Sequence, residues 1–337
     1  LLLNAVVFLS ILVSIQSDYE VDSTTYFFFA LTMLSLSAIS TSMVQNGMFG
    51  LASKFTGRHV QGVMLGQGLA GAGVATSQII TQILSEGVEH SAFLFFSFAL
   101  CFTVVSVLAQ AILIRLPIYE YYTEEQPRQP IDAEQLMLDI YPKKKSHPLV
   151  ILYFSIMLVF GLTLSLFPSL TALVESTNTA PDRPRVFGDL FVPLHFLTYN
   201  LGDWAGKALP SFAWFAPNTK HPTRKQQLRY MLSAFGRFVF IPIFLTANLP
   251  ILPEKRLLPL LIQRDEVWFT LVFLFALSNG YLGSIIMMVG PACVLGGEKK
   301  GRAGVKLGFW LTAGLALGSV ASFGVRDLMC ARGGCSS

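Results

Sequence analysis

The sequence predicts an all-α, polytopic integral membrane protein. Three observations carry that expectation. Hydrophobic residues make up 53% of the 337 residues and charged residues only 13%, whereas globular chains are about a quarter charged. Mean hydropathy is +0.57. Apolar runs of bilayer length recur along the chain, and the period-two alternation of a membrane barrel is absent.

Nine runs qualify as spans, at residues 1–16, 25–53, 60–84, 91–116, 148–175, 187–214, 229–249, 266–291 and 303–326. The first, LLLNAVVFLSILVSI, lacks a Met, a basic region and a small-residue cleavage site, so it is read as a span of a chain that starts mid-protein, not as a signal peptide. In the third, Gly62 and Gly66 are spaced as GxxxG and the run continues GQGLAGAG to Gly73; Gly314 and Gly318 repeat the spacing in the last. Such stripes predict close helix packing, with a lining of the substrate path as the other reading. No GK[ST] follows, which excludes a phosphate loop.

The connecting segments orient the bundle. One side holds thirteen Lys and Arg, among them Lys54, Arg58, Lys143, Lys220, Arg224 and Lys300, and the other six, Arg183, Arg185, Lys255, Arg256, Arg264 and Arg332. The acids Asp18, Glu20, Asp22, Glu86 and Glu89 lie on the poorer side. The richer side is expected to be cytosolic, which puts the tail outside or in a lumen. The longest polar segment, 117–147, is expected to be a cytosolic linker between an N-terminal bundle (1–116) and a C-terminal bundle (148–326), with 327–337 a non-cytosolic tail. The basic residues flank apolar runs and do not form a patch, so nucleic acid is not an expected partner. Cys330 and Cys335 could pair in an oxidising compartment, and no cysteine has metal spacing with a histidine.

Charges inside spans are costly and point to function. Asp203 and Lys207, in FVPLHFLTYNLGDWAGKALPSF, lie four residues apart and share one helical face. One carries only acceptors and the other only donors, so together they suit a vicinal diol such as ribose; a purely structural ion pair is the competing reading. Arg237, near the start of its span, is expected to snorkel or to bond helix carbonyls at the basic side, in a structural or gating role. Lys306 is read as a flank. The amides Gln45, Asn46, Gln67, Asn200, Asn248 and Asn279 suit either interhelical bonding or recognition of a base edge. His195 has no acid, Cys or second His at ligand spacing and is expected to be a hydrogen-bonded helix histidine.

The segment FLTYNLGDWAGKAL resembles the FLTFNxxDWxGR motif of equilibrative nucleoside transporters, and RFVFIPIFLTANL and FALSNGYLGSIIMMVGP follow at that family's spacing. Upstream, MVQNGMFGLASKF and LGQGLAGAG resemble its fourth and fifth helices. The resemblance covers nearly the whole chain. It implies an eleven-helix, major-facilitator-like solute carrier, of which the nine spans are helices three to eleven. It implies a nucleoside or nucleobase as substrate, the lipid bilayer as surroundings, and transport that is either facilitative or linked to protons.

Carried over by position, the resemblance makes Asp203 the ribose-contacting acid and Asn200 its companion. Gln45 becomes the amide that contacts the base, Phe196 an aromatic beside the substrate, and Gly66 a glycine tied to transport. Lys207 stands where the family has Arg, keeping the charge and losing the planar fork. Tyr199 replaces a Phe. Asn279 and Arg237 are assigned to gating or packing. The plasma membrane and a vacuolar or lysosomal membrane are both open as the location. No ATP-binding motif and no cofactor fingerprint is found. An intramembrane aspartyl protease would need a second intramembrane Asp, which is lacking, so an enzyme is disfavoured; a receptor or scaffold with a transporter-like fold is the remaining alternative.

Overall fold

A computed structural model describes residues 1–16, 22–84, 88–123, 149–178, 180, 182–220, 222–250 and 258–330. Its regular structure is entirely helical among those residues, as it must be where no water is at hand to satisfy backbone groups. In chain order the helices are α1 (Leu2–Gln16), α2 (Ser23–Lys54), α3 (Gly57–Leu84), α4 (Val88–Ile114), α5 (Pro117–Thr123), α6 (Val150–Leu166), α7 (Phe191–Ala208), α8 (Arg224–Gly236), α9 (Phe240–Leu245), α10 (Asp265–Ala292) and α11 (Gly297–Cys330). Most of the linker, the tail beyond Cys330, and Asp18, Glu20, Glu86, Lys143, Lys255, Arg256, Arg332 and Cys335 lie outside the described residues, as does any pairing of Cys330 with Cys335.

By length and composition, seven described helical segments can cross a membrane. The expectation was nine, and two fall short for different reasons. With 15 residues, α1 is shorter than a bilayer core requires. The 18 residues of α7 are diluted by His195, Asn200, Asp203 and Lys207. The fifth run also ends early: α6 stops at Leu166 and Phe167 turns extended ahead of Pro168, the conformation a residue before proline prefers. The run at 229–249 is broken. A 3-10 turn at Arg237–Val239 separates α8 from α9, because Pro242 has no amide to give to the carbonyl of Phe238. The final helix starts earlier than expected, which sets Lys306 well inside it, exposed on its surface.

The packing turns on α10. Its apolar window is 72% buried, against 6% for α2 and α4. α10 runs along α7, which packs on α3, and α11 runs along both α6 and α2. Glycines set these distances. A methyl on Gly206 or Gly280 would collide with the backbone of the facing helix, at Leu277 and Asp203 respectively. Gly314 and Gly318 meet Met157 and Gly161 of α6 in the same way, as their spacing predicts. Gly62 and Gly66 do not: a Cβ on either has no atom within 4 Å. The close contact of α3 with α7 is made by Gly68 and Gly71, against Trp204 and Asn200.

Two apolar clusters fill the interior. One, with Met64, Ile156, Val159, Ile285 and Leu307, lies toward the basic end. The other, with Leu166, Tyr199, Phe244, Trp268 and Phe275, lies toward the opposite end. There Asp265 accepts from Ser176 Oγ at 2.5 Å and from the Thr177 amide at 3.0 Å, clipping the segment after α6 to the start of α10, and Asn248 Nδ2 donates to the Glu175 carbonyl at 3.1 Å, tying the same segment to the chain after α9.

The glycine seam between α7 and α10 yields a stability prediction. Gly206→Ala is expected to cost about 1–3 kcal/mol by overpacking, seen as a lower melting temperature of the detergent-solubilised protein. Gly236→Ala, where a Cβ enters open space, is expected to lose nothing.

Candidate functional site

The buried stripe of α7 comprises Phe191, Pro193, His195, Tyr199, Gly202, Asp203, Gly206 and Lys207. Steps of three and four residues put Asp203 and Lys207 on this stripe, facing the bundle interior. They form an ion pair, Lys207 Nζ to Asp203 Oδ2 at 2.6 Å, with side chains only 7% and 10% exposed. The acid lies N-terminal to the base, the favourable order in a helix.

The other carboxylate oxygen is also occupied. Asn279 Nδ2 of α10 donates to Asp203 Oδ1 at 2.7 Å. Thr163 Oγ1 of α6 lies 2.8 Å from Asn279 Oδ1 and acts as its donor. Arg237 in turn donates from Nη2 to Thr163 Oγ1 at 2.9 Å, from Nη1 to the Val159 carbonyl at 2.7 Å and from Nε to Ser278 Oγ at 3.0 Å. Its guanidinium carbon lies 4.6 Å from the centroid of the Phe275 ring, a cation–π contact. Three side chains, Asp203, Asn279 and Thr163, therefore connect the two cations Lys207 and Arg237 across α7, α10, α6 and the break between α8 and α9. This polar layer separates the two apolar clusters. Along α6, Thr163 falls between Val159 and Leu166; along α10, Asn279 falls between Phe275 and Ile285.

Arg237 bonds helix carbonyls as expected but does not snorkel: it is 3% exposed and lies in the core. The 3-10 turn explains the difference, since it carries Arg237 inward at the point where the helix is broken.

Other expected site residues stand apart from the layer. Asn200 donates to its own helix, to the Phe196 carbonyl at 2.8 Å, and its oxygen rests on Gly71 of α3. Phe196 is half-buried, edge-on to Phe167 with centroids 5.2 Å apart. Gln45 is half-buried on α2 and forms no hydrogen bond among the described residues, while Asn46 beside it packs on Gly308 of α11. His195 contradicts its expectation. Neither ring nitrogen has a partner among the described residues, and the ring stacks on Trp268 at 6.0 Å.

Several residues went unnoticed in the sequence. Thr163 and Ser278 look like any hydroxyl bonding back within an apolar helix. Gln61 of α3 donates to Ser211 Oγ at 2.8 Å and to the Lys207 carbonyl at 3.3 Å, tying α3 to the end of α7. Its position beside the basic flank at Arg58 gave no sign of burial. Asp265 opens a helix next to Arg264, where an exposed acid is ordinary, so its burial leaves no local signal in the sequence.

Comparison with known proteins agrees with the motif. A family model described as nucleoside transporter matches residues 31–147 and 146–327. The chain is similar to equilibrative nucleoside transporter 1 of Homo sapiens, 28% identical over 334 residues that cover 90% of this chain and 70% of that protein. It is 30% identical to equilibrative nucleoside transporter 1 of Rattus norvegicus over 336 residues, again 90% and 70% of the two chains. Equilibrative nucleotide transporter 1 of Arabidopsis thaliana is 24% identical over 304 residues, 85% of this chain and 61% of that one.

The pair at the centre of the layer should behave as a buried pair does. Lys207→Met is expected to destabilise the solubilised protein by about 3–5 kcal/mol, because it strips one oxygen of a buried carboxylate. Adding Asp203→Asn to that variant is expected to restore much of the loss, measured as a double-mutant cycle of melting temperatures.

Proposed function

This chain belongs to the nucleoside transporter family, and from that premise we propose that it carries nucleosides across the membrane by alternating access around Asp203. Members of this family are transporters and not enzymes, and the chain is a multi-pass integral membrane protein. The observation that carries the substrate reading is the buried carboxylate of Asp203, held by Lys207 in a layer otherwise enclosed by apolar side chains.

A ribose offers two vicinal hydroxyls, each both donor and acceptor. One can donate to Asp203 Oδ2 while the other accepts from Lys207 Nζ, replacing the direct pair with a bridged one. The exchange is donor for donor, so the carboxylate never stands bare. Asn200 and Phe196 lie one and two turns before Asp203 on α7, within reach of a base whose sugar rests on the carboxylate. Gln45, with an amide that bonds no described residue, supplies a donor and an acceptor for the base edge. The open face at Gly66 gives room beside it. Residues 1–116 and 148–326 form the two bundles that rock about this site in the major-facilitator manner, joined by a cytosolic linker at 117–147.

The end bearing Lys54, Arg58 and Lys300 is the cytosolic one on the charge asymmetry. There α2 and α11 meet through Gly50, Gly304 and Gly308 so closely that a methyl on any of them would strike the partner helix. That seam is the cytosolic gate in its closed state. Nucleobases are secondary substrates on this reading, since they lack the diol.

In liposomes containing the full-length protein, Asp203→Asn is expected to lower uridine and adenosine counterflow by about tenfold or more, the scale of losing a charged hydrogen bond with its partner left buried. Undiminished counterflow by that variant would overturn the assignment of Asp203.

A further inference from the structure

The two oxygens of Asp203 are held in unlike ways. Lys207 reaches Oδ2 on a flexible four-carbon stem. Asn279 holds Oδ1 with a planar amide fixed on the most buried helix. Two groups bear on which way that amide faces, the acceptor-only carboxylate in front of it and Thr163 behind it.

The Thr163 hydroxyl has a single proton and two acceptors 2.8 Å away, the Val159 carbonyl and Asn279 Oδ1. The Val159 oxygen already receives Arg237 Nη1 at 2.7 Å, along with the helix's own amide four residues on. Its two lone pairs are filled. Arg237 Nη2 occupies one lone pair on Thr163 Oγ1, and the Tyr199 hydroxyl of α7, which also meets Thr163, can donate to the other, which leaves the proton directed at Asn279. An amide that accepts there must present its NH2 to Asp203. Every bond therefore runs in one direction, from the guanidinium through hydroxyl and amide to the carboxylate, and such chains reinforce themselves where the dielectric is low.

We propose that Arg237 orients Asp203 for substrate through Thr163 and Asn279, so that Lys207 is the one partner a substrate displaces. This inference rests on the reading of Asp203 as the sugar anchor. It makes Arg237, Thr163 and Asn279 positioning residues, none of which touches the nucleoside. It also assigns specificity: with Oδ1 permanently engaged, only a ligand that brings its own donor to Oδ2 can take the place of the ammonium. A 2′ or 3′ hydroxyl does so, and a 2′,3′-dideoxy sugar lacks both.

The test measures KM and maximal rate for uridine and 2′,3′-dideoxyuridine with the full-length protein in liposomes, comparing wild type with Thr163→Val, Thr163→Ser and Arg237→Lys. Thr163→Val keeps the shape and removes the hydroxyl. It is expected to raise the KM for uridine about tenfold, the scale of one mispositioned charged hydrogen bond, and to leave the KM for dideoxyuridine unchanged. Thr163→Ser restores the wild-type KM. Arg237→Lys keeps the charge but cannot span Val159 and Thr163 together, so it reproduces the uridine-selective loss and serves if Thr163→Val does not fold. An unchanged uridine KM in both Thr163→Val and Arg237→Lys, or an equal rise for both substrates, overturns the relay. If that happens while Asp203→Asn still lowers uridine transport about tenfold or more, the relay alone is wrong. If wild type treats the two sugars alike, the sugar-anchor reading is wrong and the relay goes with it.

Discussion

Everything in the second half of the molecule is arranged around one carboxylate buried in an apolar bundle. An isolated Asp deep in a span is unfavourable by at least about 2.5 kcal/mol on insertion scales, and burial raises that unless both oxygens are bonded. Asp203 is accommodated by approach rather than by water. Gly206 and Gly280 let α7 and α10 touch backbone to backbone, which brings Asn279 against Asp203 at 2.7 Å. The same crossing leaves room on α7 for Lys207 to lie along its own helix. Removing any of these parts leaves a charge in a place that cannot tolerate one.

The polar layer also carries two cations for one anion among the described residues. The surplus is Arg237. It is neutralised by dipoles instead of by a second acid: the Val159 and Phe275 carbonyls accept from it, and the Phe275 ring lies beneath its plane. A guanidinium suits that duty because it is planar and weakly hydrated. Lys207 has the opposite character, a compact charge on a mobile stem, and it stands at the position where a ligand is proposed to compete.

Much of this was legible in the sequence, and the illegible remainder has a physical pattern. Asp203 and Lys207 were visible because a charge in an apolar run is conspicuous and a spacing of four puts two residues on one face. Asn279 was visible as an amide, but its bond to a residue 76 positions away was not, since long-range pairing leaves no trace in local composition. Thr163 was invisible for the same reason. The glycine motif at Gly62 and Gly66 shows the other limit: spacing tells that a face is smooth and not what lies across it. Gly68 and Gly71, off that spacing, make the contact instead. The break at Arg237–Val239 was readable in principle from Pro242, and the burial of Arg237 follows from that break.

The polar character of α7 bears on how the chain reaches the membrane at all. A segment carrying His195, Asn200, Asp203 and Lys207 in 18 residues is a poor client for insertion by itself, because each charge counts against partitioning from the translocon into lipid. Its partner on the facing side, α10, is synthesised later. The earlier α3 can shield one side of α7, but Asp203 gains its Asn279 partner only when α10 packs against it, so insertion of α7 is coupled to the docking of a helix that follows it in the chain.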